Sequence, residues 1–244
     1  MQFYCFINRI IFCVVFLLHC LHGSGALDLR ITQKELGSDF RGEFNRSAYW
    51  SWDISNFATV ELNDRYTFSG GITLGTVEKD FEFKLYTAAG IAPLSWINLL
   101  SGIPFTVHLA YIYYTLPGLS FDVHTNSVFP YAAYNGKWAG LAIGPNFRFT
   151  RILDGPPVYE SMLSFRVYAN FVNREKFRIG LSLGNFNDLY MANMGAISMS
   201  FDSLIHITEQ WSVFNALELY QSGIDGLTTA FYGIAYRGGA RYAW

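Results

Sequence analysis

Acidic, basic and imidazole side chains recur along this sequence between apolar neighbours. Asp53, Glu61, Glu82, Lys84, His108, Arg148, Arg166, Arg178, Asp202, His206, Glu218, Arg237 and Arg241 all stand in such places. Ionised groups need water or partners, so these residues specify a wet cavity or a network of pairs. Catalysis is harder to build from them. His124 and Ser127 are three apart, which on a strand sends them to opposite faces, whereas a base must reach its nucleophile. His108 and His206 are lone histidines on separate segments. A metal would need further ligands supplied by the fold, and a hydrogen-bonded histidine in a polar cavity is the stronger reading. The sequence has no phosphate loop, no Gly-x-Gly-x-x-Gly and no Cys/His cluster. The expectation is therefore no enzyme, no cofactor and no metal.

The first 26 residues read as a cleaved secretory signal peptide, and 27–244 as one domain. Arg9 supplies the positive start, Ile10 to Leu21 the short apolar run, and Ser24-Gly25-Ala26 the small residues for cleavage. The run is too short for a membrane-spanning helix, which needs ~20 apolar residues. Cys5, Cys13 and Cys20, all three cysteines of the chain, fall inside this segment, so cysteine chemistry is excluded downstream. A lipoprotein start is the rival reading. Leu17-Leu18-His19-Cys20 has the leucine and cysteine of a lipobox, but His19 fills the place of a small residue.

These chemical groups must be positioned by strands. Aromatics make up 18% of the chain and charged residues only 15%, below the ~25% usual in soluble proteins. Something other than water must face those aromatics. A net charge of −2 with no basic stripe gives no reason to expect a nucleic-acid partner. No second long apolar run follows the leader, so a membrane crossing would need strands that close on themselves.

The segments alternate as such strands require. Trp50, Trp52, Ile54, Ala58, Val60 and Leu62 oppose Ser51, Asp53, Ser55, Thr59 and Glu61. The same two-residue period runs through 66–75, 81–85, 105–113, 139–149, 163–171, 177–184, 197–207 and 211–219, with the charges on the polar parity. Residues 121–134 are weaker, because Thr125 and Ser127 share the parity of Phe129 and Tyr131 and Pro130 cannot donate to a ladder. Leu27 to Phe40 alternates only at Leu27, Leu29 and Ile31. Counting it gives about 12 strands, an even number.

The connections sort by length. Asn63-Asp64, Asn135-Gly136, Asn173 to Lys176 and Thr208 to Gln210 are tight turns on the side of the termini. The longer linkers Arg151 to Tyr159, Asn185 to Asn193 and Gln221 to Leu227 fall on the other side. Ile91 to Pro104 breaks the rule and is expected as a short amphipathic helix or a hairpin.

The last segment sets Tyr232, Ile234, Tyr236, Gly238, Ala240, Tyr242 and Trp244 on one parity, against Arg237, Gly239 and Arg241. A terminal aromatic, a second two residues earlier and apolar or small residues at alternate places resemble the insertion signal of bacterial outer-membrane β-barrels. Trp stands where Phe is most common in that family, and Ala240 and Gly238 where larger residues are usual. The resemblance implies a closed antiparallel transmembrane β-barrel of meander topology, an all-β fold of roughly 10 to 14 strands. It also implies export to the outer membrane, lipid as surroundings, and the barrel assembly machinery as a partner reading Tyr236, Tyr242 and Trp244. Trp50, Trp52, Tyr111 and Tyr113 would form one aromatic girdle, and Phe171, Phe177, Trp211, Tyr242 and Trp244 the other. The polar parity would line the pore. Arg148, Arg166 and Arg178, on three consecutive strands, would form a basic wall that sets ion preference. Outer-membrane lipases carry a His-x-Ser pair on a strand, and residues 27–244 contain none. Two functions follow: a porin-like channel for passive diffusion of small hydrophilic solutes, or a non-conducting surface barrel with a salt-bridged lumen. In the second, the external loops would meet a host or surface ligand.

Overall fold

The computed structural model describes residues 30–45, 50–77, 80–97, 99–117, 122–152, 155–186, 196–222 and 230–244. The expected signal peptide lies outside the described residues, as do parts of the longer linkers.

Alternation makes each segment a strand with two unlike faces. The strands are β1 (Ile31–Asn45), β2 (Trp50–Leu62), β3 (Tyr66–Val77), β4 (Asp80–Ile91), β5 (Phe105–Pro117) and β6 (Asp122–Asn135). They continue as β7 (Ala139–Ile152), β8 (Val158–Arg174), β9 (Phe177–Gly184), β10 (Ala196–His206), β11 (Trp211–Ser222) and β12 (Ala230–Ala243). Each pairs antiparallel with its sequence neighbours, and β1 pairs with β12, so twelve strands close into one meander barrel.

The polarity of the two faces is inverted relative to a protein that meets water on its outside. Leu36, Phe40, Trp52, Leu74, Leu109, Leu163, Phe201 and Leu217 are exposed on the outer face. Asp39, Asp53, Ser55, Thr73, Glu82, Ser127, Asn146, Ser164 and Glu218 are buried on the inner one. An apolar exterior around a polar interior is the arrangement a membrane barrel requires.

The turns on the terminus side are short for local reasons. Asn63 and Asp64 both have φ of 55°, the left-handed pair that joins two strands without splaying them. Of the two expectations for Ile91 to Pro104, the described residues show a short helix and no hairpin. The helix is a single 3₁₀ turn, Pro93–Trp96, whose start is held by Ser95 Oγ donating to the Ala92 carbonyl at 2.7 Å.

Three readings of the sequence change. First, β1 extends to Asn45, well past the apolar residues that marked it. Its register shifts between Ile31 and Gln33, so Ile31 pairs with outward Leu62 while Gln33, of the same parity, pairs with inward Glu61. A bulge reverses facing without altering sequence parity. Second, β6 turns the parity of Phe129 and Tyr131 inside, since Phe129 is 1% exposed and Ser127 and Thr125 are buried beside it. Asn126 and His124 face outward instead, where Asn126 Oδ1 accepts from the Tyr111 hydroxyl at 2.6 Å and His124 Nδ1 lies 2.9 Å from that of Tyr113. Third, Tyr111 sits at mid-height of β5 and is not part of a rim.

Candidate functional site

The inner parity of twelve strands converges on the lumen, which has two levels. The lower level, on the side of Ile31 and Trp244, is a cavity of about 760 Å³. It is lined by Glu35, Glu61, His108, Lys137, Arg166, Arg178, Asp202, Arg237 and Arg241, with Tyr86, Tyr131 and Tyr168 between them. Arg241 pairs with Glu35 at 3.6 Å and lies 4.8 Å from the Phe214 ring centre. Asp202 accepts hydrogen bonds from Ser182 and Ser200, and His108 Nε2 lies 2.8 Å from Thr106 Oγ1.

Above this vestibule stands a partition of ion pairs on one wall of the lumen, from β11 and β12 through β1 and β2 to β4. Arg41 reaches Glu43 at 2.8 Å, Asp53 at 3.5 Å and Glu218 at 3.4 Å. These partners come from β1, β2 and β11, so one guanidinium ties the closing seam of the barrel to its neighbours. Arg237 donates from Nε to Asp39 at 2.8 Å across β12 and β1, and packs 5.1 Å from the Phe214 ring centre. Lys84 pairs with Glu82 beside the Tyr114 ring. Asp39, Asp53, Glu82 and Glu218 are all buried. Carboxylates removed from water this fully are stable only because they are paired.

The predicted polar residues thus divide by height. Glu61, His108, Arg166, Arg178, Asp202 and Arg241 line the vestibule. Asp53, Glu82, Lys84, Glu218 and Arg237 belong to the partition, where Arg237 also touches the vestibule. The basic wall expected of Arg148, Arg166 and Arg178 is split. Arg166 is the Cα partner of Ala142, whereas Arg148 is the partner of Glu160. That separation along β7 is ~20 Å at the rise of an antiparallel strand. Arg148 instead forms an ion pair with Glu160 at 3.8 Å. His206 lies exposed at the end of β10, away from the cavity lining.

Arg41, Asp39, Glu43 and Glu35 were not legible in the sequence. The bulge in β1 breaks the parity set by Leu27, Leu29 and Ile31, which would have sent these residues outward. The signal that could have found them is the period of Leu36, Phe40 and Phe44 on the opposite parity.

On the outside of β12, Tyr236 and Trp244 are exposed. Tyr242 packs against Trp211 at 4.9 Å and Trp244 at 5.3 Å. The Trp244 backbone exchanges hydrogen bonds with Lys34, donating at 3.0 Å and accepting at 3.3 Å. The terminal residue therefore helps to close the barrel.

Closed twelve-stranded meander barrels with this inverted polarity form a known structural class, the outer-membrane β-barrels of bacteria. The translocator domain of autotransporter NalP from Neisseria meningitidis matches 96% of this chain and 97% of its own length, with a TM-score of 0.53 at 10% identity. The NanC porin matches 84% of this chain and 98% of its own, with a TM-score of 0.51 at 11% identity. No family model and no curated sequence matches the chain. The fold is that of the class.

Proposed function

We propose that this chain spans a bacterial outer membrane and acts as a porin-like channel for passive diffusion of small hydrophilic solutes, without catalysing a reaction. One observation carries the reading: the polar, charged inner parity opens on one side into a cavity of about 760 Å³. Such a surface is wasted unless water and solutes reach it. The ion pairs around Arg41 project from the wall above the cavity, and a small unit conductance is expected.

Cations exceed acids along the vestibule. Lys137, Arg166, Arg178, Arg237 and Arg241 line it together with Glu35, Glu61 and Asp202. Lining charge of one sign raises the local concentration of the opposite ion, so the channel should favour anions. The outer face would meet lipid, and β12 would be the strand the assembly machinery engages.

Planar-bilayer recording of refolded protein tests the reading. Discrete conductance steps with a reversal potential displaced toward that of the anion are expected. A silent bilayer would favour the non-conducting surface barrel, to which the Arg41 cluster is equally suited.

A further inference from the structure

The ladder between β6 and β7 is interrupted at mid-height. Cα partners run from Val123 and Ile152 to Val128 and Phe147, and resume only at Ala132 and Ile143. Carrying the register across the gap sets Pro130 opposite Pro145. On its other side Pro130 pairs with Leu109 of β5, and Pro145 with Leu163 of β8. Proline has no N–H, so the bonds holding those two pairs come from flanking residues. In an antiparallel ladder the residue's own N–H and C=O positions then face the opposite neighbour. Each proline therefore turns its bond-forming edge to the other, and the two hydrogen bonds such a pair would exchange cannot form.

The strands are held together there by packing. A Cβ added at Gly144 would strike the Pro130 carbonyl oxygen. Behind the gap the lumen changes character. Phe129 stacks on Tyr131 with ring centres 4.7 Å apart and meets Phe186 edge-on at 4.8 Å. Ala110 and Ile112 belong to the same buried apolar cluster, and Ala142 packs against it. In front of the gap, the outer face presents Leu109, Phe147 and Leu163. Apolar surface thus covers the outside of a strand contact without ladder bonds, and inside it the aromatic cluster adjoins the buried amide of Asn146, which donates to Ser164 at 3.4 Å.

We propose that the β6–β7 contact is a lateral portal for the acyl chain of a single-chain amphiphile moving between the hydrocarbon of the membrane and the lumen. Separating any fully bonded strand pair in lipid would strand backbone groups that nothing else can satisfy. At Pro130 and Pro145 those bonds are already absent, so the seam parts there first. The chain would lie along Phe129 and Phe186, with its polar head toward the vestibule, where Arg166 sits beside Ala142. This route is separate from axial passage of hydrophilic solutes and does not depend on it.

The test is photolabelling with a diazirine-bearing palmitate in phosphatidylcholine vesicles containing the full chain, with adducts mapped by mass spectrometry. Adducts are expected on Phe129, Tyr131 or Phe186 as well as on outward Leu109 and Leu163. The double replacement P130V/P145V supplies both missing N–H groups on an apolar side chain. It should lower lumen adducts about fivefold or more while leaving the Leu109 and Leu163 adducts, which also report insertion, unchanged. The single replacement P145V, which perturbs the strand less, should give an intermediate loss. Wild-type adducts confined to the outer face would overturn the portal, as would lumen adducts that persist in P145V and in P130V/P145V. Axial conductance of the double variant is expected to match wild type.

Discussion

Arg41 concentrates more of the lumen's electrostatics than any other residue described, since three carboxylates depend on it. Arg41→Ala leaves Glu43, Asp53 and Glu218 without their shared cation, and removing one member of a buried pair is costly because of the charge left behind. The expected loss is about 3 kcal/mol, read from urea unfolding of the refolded barrel. Arg41→Lys should recover only part of it, because an ammonium lacks the planar fork that reaches several acceptors. At Asp64 the backbone and not the charge is decisive. With φ of 55°, Asp64→Val should cost ~1 kcal/mol or more, since a β-branched residue resists the left-handed region. Asp64→Gly should leave the unfolding midpoint unchanged or raise it. That turn was readable from Asn63-Asp64 alone, because its chemistry is local. Arg41 was not, because its inward facing depends on a bulge several residues away.

The pairing of β1 with β12 decides whether the barrel closes. Its backbones approach closely at Gly239, where an added Cβ would strike the Ser38 carbonyl oxygen and the Asp39 side chain. Gly239→Ala should therefore destabilise the closed state by about 2 kcal/mol, as overpacking against backbone does. Gly42→Ala is the control. Its nearest neighbour is the Phe40 ring at 3.5 Å, an ordinary contact, so its effect should stay within about 0.5 kcal/mol. The gel-mobility difference between folded and heat-unfolded barrel, followed against temperature, separates the two. Most strands were legible from alternation. β6 was read with its faces undecided, because Phe129 and Tyr131 share a parity with Thr125 and Ser127. The structure resolves the conflict by turning that parity inward, where the aromatics pack on Phe186 and the outward Asn126 is satisfied by Tyr111.

For the whole molecule, height within the lumen matters more than total charge. The partition holds its acids and bases in pairs, whereas the lining of the vestibule carries more cations than acids. Arg166→Glu/Arg178→Glu should accordingly reverse the ion preference from anion to cation in bilayer recordings, with unit conductance changed by less than about twofold. Arg41→Ala should raise unit conductance and, because Glu43, Asp53 and Glu218 lose their shared cation, shift selectivity toward cations as well. If charge reversal at Arg148, which pairs with Glu160, shifted selectivity as strongly as the vestibule pair, the two-level description of the lumen would be wrong.

Sequence alone determined the class of fold, because the two-residue period of a strand and the inverted polarity of its faces are written into most segments. On regular strands it also set Asp53, Glu82 and Glu218 on the polar parity, which the barrel buries, whereas His206 of the same reading lies exposed at the end of β10. Only the tertiary structure decided which of those groups meet. Whether Arg148 joins Arg166 or Glu160, and whether Arg41 reaches Asp53, depends on register and on a single bulged residue, and neither changes the hydrophobic period from which a strand is read.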